Sequence, residues 1–330
     1  MTNVNLGNKT PWPQGERELA QVRAFNRKLA WLPRFKIRNR LTPRLIQALL
    51  RVSQLGGAGK LRKQGLGAQG KRLASGAGVR IIRPRGPAKG VVLDFHGGGW
   101  VIGNAQMNDN FNVAIVNACN VTVVSVDYRL AVSTPIEGLL EDCLSATRWL
   151  LSEDEFAGLP VVVVGESAGA HLAAATLLAL QPSADLLQRI SGALLYYGVY
   201  DLTGTPSVRN APPETLVLDG PGMVEALRML TPERTDEERR QPPLSPLYGD
   251  FSGLPPALLL AGELDPLRDD TLAIARRWQQ AAPVEVYLLP ASPHGFIHFP
   301  TAIAQGVLAY SRQWISARIN AHTAAIRSDP

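Results

Sequence analysis

The stretch that most constrains this chain is Val161-Val162-Val163-Val164, which runs into Gly165-Glu166-Ser167-Ala168-Gly169 and then into an alanine- and leucine-rich segment ending at Leu180. Consecutive β-branched residues predict a buried strand. The small and unbranched residues of 168–180 predict a helix. Two glycines therefore bracket a serine at the turn between them. A serine hydroxyl is a poor nucleophile at neutral pH; it needs positioning, a base, and a place for the negative charge that develops. A sharp strand-to-helix turn lifts the hydroxyl above the sheet edge, with a helix N-terminus behind it. Small neighbours let the adjoining backbone pass closely. Taken alone, the pentapeptide does not establish a nucleophile, because the same residues build ordinary strand–helix junctions.

The pattern around it is one of alternation. Strands are predicted at 79–83, 91–95, 121–126, 161–164, 193–197, 257–261 and 284–289, with helices at 107–119, 137–151, 168–180, 269–281 and 301–320 between them. Short valine-rich strands separated by helices predict an α/β fold with a mostly parallel sheet covered on both faces. Before this rhythm begins, apolar residues at helical spacing predict a helix over 16–32, and Thr42-Pro43 opens a second one as N-cap and first-turn residue. The glycine- and lysine-rich segment 54–78 reads as flexible. The proline- and charge-rich segment 201–250 carries one short helix near 224–230 and reads as an insertion between two strands.

Charge is unevenly distributed. Residues 1–89 hold 20 Lys and Arg against two acids, whereas the remainder carries a net −12, leaving +6 overall. The favoured reading is that the basic segment folds back on an acidic body, ahead of a nucleic-acid-binding arm or a membrane-surface anchor. No apolar run is long enough to span a bilayer, so stable membrane insertion is not expected. Residues 1–12 lack the apolar core of a signal peptide, and only Cys119 and Cys143 occur, read as a reduced, buried pair. A cytoplasmic location is the expectation. Nucleic-acid binding is disfavoured, since aromatic platforms are not interleaved with the basic residues.

Three further motifs complete a constellation. His96-Gly97-Gly98-Gly99-Trp100 follows the strand at 91–95. Three glycines free backbone amides to converge on one spot, as an oxyanion hole requires, and the spacing fits neither a dinucleotide fingerprint nor a P-loop. Gly97 and Gly98, with the amide of Ala168 beside the serine, are the expected donors; His96 is expected to brace the loop. Asp265 stands in Gly262-Glu263-Leu264-Asp265-Pro266 after the strand at 257–261, with Glu263 as the rival acid. Asp269 and Asp270 look like ordinary first-turn helix acids. His294 follows the strand at 284–289; His171 lies inside a helix, His322 in a frayed tail, and His298 is a surface residue or a weak substitute. A metal site at His294 and His298 has no third ligand nearby, and no cofactor is expected. Ser167, Asp265 and His294 occur in the chain order of the α/β-hydrolase triad.

With these motifs assembled, His96-Gly97-Gly98-Gly99-Trp100, Asp127-Tyr128-Arg129-Leu130, Gly165-Glu166-Ser167-Ala168-Gly169, Asp265-Pro266-Leu267 and His294-Gly295-Phe296, the chain resembles the hormone-sensitive-lipase-like esterases, or bacterial family IV. The resemblance spans about residues 79–320. It implies an eight-stranded hydrolase core over 76–200 and 251–325, with a helical cap from residues 1–75 and 201–250. It also implies serine carboxylesterase activity on small, short-chain esters and a homodimer through the sheet edge. An amide or formamide hydrolase with the same triad is the nearest rival; a ligand receptor on this fold is disfavoured by the presence of His294. Two departures stand out. Leu130-Ala131 is followed by Val132-Ser133 where the family has Pro-Glu, and Glu166 replaces the usual Asp or Thr. Glu166 could reach a neighbouring loop as a second carboxylate. The basic cap suggests a bias toward anionic esters.

Overall fold

A computed structural model describes residues 10–36 and 41–328, so the first nine residues of the signal-peptide reading lie outside it. Three helices come first: α1 (Glu16–Leu29), α2 (Leu41–Ser53) and α3 (Gly57–Lys63). The sheet then begins with β1 (Ala68–Arg72), β2 (Gly78–Ile82) and β3 (Val91–Phe95). Helices and strands alternate through α4 (Asp109–Cys119), β4 (Thr122–Asp127), α5 (Ile136–Ser152), β5 (Val161–Glu166), α6 (Ala168–Leu180), α7 (Ala184–Leu187) and β6 (Ile190–Tyr196). Short helices α8 (Pro206–Arg209), α9 (Met223–Leu230) and α10 (Asp236–Arg239) fill the insertion. The chain closes with β7 (Ala257–Gly262), α11 (Arg268–Trp278), β8 (Val284–Leu289) and α12 (Ala302–Ser328).

The eight strands form one sheet in the order β1-β2-β4-β3-β5-β6-β7-β8. The pairs β1/β2 and β2/β4 are antiparallel and every other pair is parallel, as the alternating pattern predicts. Strand alternation divides the interior into two layers. Val91, Leu93 and Phe95 face a core shared with α5, α6 and α11, whereas Val92 faces one shared with α4 and α12. Helix α6 is buried on all sides apart from Ala179, which explains its continuous apolar sequence.

Two expectations are corrected. The segment 54–78 is not a flexible linker: it contains α3 and the edge strand β1. The strand was hidden because its residues, Ala-Gln-Gly-Lys-Arg, are mostly exposed and polar, the composition that protects a sheet edge from pairing with other chains. His322 lies within α12, which continues well beyond residue 320. Cys119 and Cys143 are both buried and unpaired. Among the described residues, no helix is long and apolar enough to cross a membrane.

The basic N-terminal part folds against the rest of the chain, as its charge predicts. Arg80 pairs with Asp109 at 2.7 Å, Arg83 with Glu155 at 2.6 Å and Lys71 with Glu153 at 3.1 Å. Helix α1 packs on α12, and its Asn26 side chain donates to the carbonyl of Ala291, in the loop after β8, at 2.7 Å. A backbone seam then joins the N-terminal part to the insertion. Phe35 donates to the Val217 carbonyl at 2.6 Å and accepts from Asp219 at 3.1 Å, and Arg34 donates to the Thr215 carbonyl.

Candidate active site

All the predicted motifs sit at the C-terminal ends of parallel strands, where such sheets form crevices. Ser167 occupies the turn between β5 and α6 with φ 52° and ψ −121°, a conformation costly for a residue with a side chain. The turn is held by close packing on both sides. A Cβ on Gly165 would lie 2.6 Å from the Gly169 carbonyl oxygen, and one on Gly169 would lie 2.0 Å from that of Phe95. No larger residue fits at either place.

The three residues predicted from chain order meet. The Ser167 hydroxyl lies 2.9 Å from His294 Nε2, and His294 Nδ1 lies 2.8 Å from Asp265 Oδ2. The other Asp265 oxygen accepts from the Leu267 amide at 2.9 Å, which fixes the carboxylate plane. Asp265 and His294 are both buried. The rival acid Glu263 instead accepts from the Ala291 amide at 3.2 Å, outside this chain of bonds.

Beside the serine runs the glycine loop. Gly98 and Gly99 adopt φ 110° and 58°, and a Cβ on Gly98 would meet the Ile102 carbonyl oxygen at 2.1 Å. Among the described residues, the amides of Gly97, Gly98 and Ala168 have no internal acceptor, so they remain available to a ligand. His96 braces the loop, as expected. Its Nδ1 donates to the Gly97 carbonyl at 2.7 Å, and its ring stacks on Tyr128, whose hydroxyl donates to the His96 carbonyl at 2.6 Å. Arg129, left without the usual Pro-Glu context, is held by both oxygens of Asp142 at 2.8 and 2.9 Å.

Glu166 acquires definite partners. Its Oε2 accepts from His298 Nε2 at 2.6 Å and from the Tyr197 hydroxyl at 2.8 Å. Burial pushes the carboxyl up, but the His298 charge and these hydrogen bonds outweigh it and hold the group at about 2. The same ion pair raises His298 above its ordinary value, against the effect of burial. His298, read from sequence as a surface residue or substitute base, is thus the counter-charge for the carboxylate preceding the nucleophile.

Two more residues were passed over in the sequence. His171, on α6, accepts from Trp100 Nε1 at 3.2 Å and donates to the Leu244 carbonyl at 2.8 Å, tying the glycine loop to the insertion. Burial lowers it to about 4, despite the Leu244 bond, and keeps it neutral. Asp270, dismissed as a first-turn acid, is buried. It accepts from the Tyr200 and Asp201 amides at 2.7 and 3.0 Å and from Thr205 Oγ1 at 2.5 Å, anchoring the start of the insertion to α11. Burial raises it to about 7. In the sequence His171 is marked by its polarity within an apolar helix, whereas Asp270, among Arg268, Asp269 and Thr271, carries no such mark.

The site opens into a cavity of about 740 Å³. Ser167, His294, Gly97 and Gly98 form its floor, and Phe35, Leu218 and Met223 stand among its walls. The ionisable side chains lining it, among the described residues, are Glu166, Asp219, Glu225, His294 and His298; Glu166 is paired with His298, and Asp219 lies 3.4 Å from Lys36.

A hydroxyl, an imidazole and a carboxylate in line, beside convergent amides at a strand-to-helix turn, define a hydrolase site of the α/β type. The sequence pattern of the α/β-hydrolase fold family matches residues 92–298. An arylesterase from Saccharolobus solfataricus is 30% identical, over 69% of this chain and 75% of its own. An ethyl acetate hydrolase from Pseudomonas putida is 31% identical, over 69% of this chain and 73% of its own. Among solved structures, the esterase LipW from Mycobacterium marinum superposes with a TM-score of 0.78 at 26% identity, covering 93% of this chain and 98% of that one. An esterase of the bacterial hormone-sensitive lipase family gives 0.72 at 26% identity, covering 93% and 100%. The chain belongs to the hormone-sensitive-lipase-like esterases of the α/β-hydrolase fold family.

Proposed function

We propose that this enzyme hydrolyses small, short-chain carboxylic esters through an acyl-enzyme intermediate on Ser167. The observation that carries the reading is the Ser167–His294–Asp265 line of hydrogen bonds, at 2.9 and 2.8 Å, opening beside the free amides of Gly97, Gly98 and Ala168. Ser167 Oγ attacks the ester carbonyl carbon while His294 Nε2 takes its proton. The three amides receive the oxyanion. Collapse breaks the acyl–oxygen bond, and His294 returns the proton to the departing alcohol. Water then attacks the acyl-enzyme with His294 again as base, releasing the carboxylic acid and restoring Ser167. Asp265 holds the imidazole tautomer and stabilises its cation throughout.

Residues 1–75 and 201–250 act in this reading as the cap that shapes the acyl and alcohol pockets. The seam between Phe35 and Val217–Asp219 supports it, as does the presence of both parts in the cavity wall. The ethyl acetate hydrolase among the relatives favours a short acyl group. The edge strand β8 would carry the homodimer contact.

The test is hydrolysis of p-nitrophenyl esters of increasing acyl length by the wild type and Ser167→Ala. Rapid turnover of short esters, abolished by the substitution, is expected. Full activity of Ser167→Ala would overturn the mechanism, and negligible ester turnover with amide cleavage would overturn the substrate class.

A further inference from the structure

Helix α2 is apolar on two sides: Pro43 is buried and Ile46 and Leu50 are half-buried, while a second apolar set faces out. Polar bonds fix it to the body: the Gln47 side chain bonds both the carbonyl and the amide of Gly103, at 2.9 and 2.8 Å. Just past its end, Gln54 exchanges a reciprocal pair of amide bonds with Asn104, at 2.9 and 2.8 Å. The second apolar set points away from these bonds. Leu45, Leu49 and Val52, spaced to share one helical face, are 64%, 61% and 63% exposed, and Leu55 beyond the helix is 77% exposed. Soluble proteins rarely leave a contiguous apolar face uncovered unless it meets a partner.

The charge beside this face says which partner. Arg44 and Arg51 are exposed on the same helix, α2 and α3 carry no acid, and neither arginine has an acidic partner among the described residues. The pairing that neutralises Arg80, Arg83 and Lys71 on the acidic body is missing here. A second copy of the chain, meeting through a two-fold axis, would set this cationic face against itself. An anionic lipid surface takes up both properties at once: leucines enter the interface while arginines meet headgroups. We propose that α2 is an interfacial docking helix that seats the enzyme reversibly on anionic membranes without spanning them. Its bonds to Gly103 and Asn104 tie it to the segment that follows the glycine loop.

The test is co-sedimentation of the full chain with vesicles of phosphatidylcholine, alone or with about a third phosphatidylglycerol. Binding to the mixed vesicles, weakened by salt, is expected. L45Q/L49Q/V52Q, at positions in the cap segment that do not line the cavity, should lose at least about tenfold in vesicle affinity with unchanged turnover of a water-soluble ester. R44E/R51E, which keeps the apolar face, should lose the preference for phosphatidylglycerol. No wild-type binding, or equal binding by both variants, overturns the proposal. So does a wild-type dimer, seen by light scattering, that the glutamine variant dissolves without any vesicle binding: the face would then belong to a second copy.

Discussion

The Glu166–His298 pair permits a quantitative test, because its two members titrate in opposite directions. His298→Gln keeps a hydrogen-bond donor near Glu166 but removes the charge. In the folded chain Glu166 is held from 4.5 down to about 2, since the His298 charge and the hydrogen bonds outweigh burial. At ~1.4 kcal/mol per unit this net shift corresponds to about 3 kcal/mol. The His298 side chain is 49% exposed, so solvent screening reduces the expected loss to about 1–2 kcal/mol. Glu166, being depressed, contributes stability above 4.5 that is lost as pH falls toward about 2. His298, being raised above 6.5, contributes stability that is complete below 6.5 and lost as pH rises through its folded value. The gap between wild type and variant should therefore be widest between 4.5 and 6.5 and close at higher pH. Urea unfolding of both proteins across that range and up to about pH 9 measures it. A gap of constant size would show that His298 acts by packing and refute the ion-pair argument. Turnover should fall only modestly, about threefold to tenfold, because the Ser167–His294–Asp265 line is untouched.

Other substitutions probe the backbone and the braces. Gly98→Ala forces a Cβ to 2.1 Å from the Ile102 carbonyl oxygen, so the loop must move; kcat should fall about a hundredfold or more, with KM changed far less. Ser167→Gly relieves the positive φ of 52° and should abolish ester turnover while raising Tm by about 2–4 °C in a thermal melt. His171→Leu strands the Trp100 indole N–H and the Leu244 carbonyl, and denaturant unfolding should report a loss of about 2–4 kcal/mol.

Much of the molecule could be read from local pattern. Strands β3 and β5 announce themselves because they are buried on both faces and need no alternation. Asp265 and His294 were found because a strand end in a parallel sheet faces the same rim as the serine turn, wherever its neighbours lie in the chain. The features missed are those whose meaning depends on distant partners. The Glu166 and His298 side chains meet across 132 residues: the serine motif marks Glu166 and its reach to a neighbouring loop, but nothing local marks His298 as the partner. His171 occupies a helical site that any apolar residue would suit locally; Trp100 and Leu244, arriving from two other parts of the chain, give it a role. Strand β1 was lost for the opposite reason, since its polarity suits an edge and imitates a loop.

The seam between Phe35 and Val217 has a bearing on how the protein is made. Arg34 and Thr215, which bond across it, are 181 residues apart, and Asp265 and His294 come later still. A chain emerging from the ribosome forms the serine turn while the wall above it is half absent and the imidazole unsynthesised. The hydroxyl therefore waits through 127 further residues for its imidazole. The cap's part of the wall, complete by Leu227, is made first, so enclosure precedes reactivity.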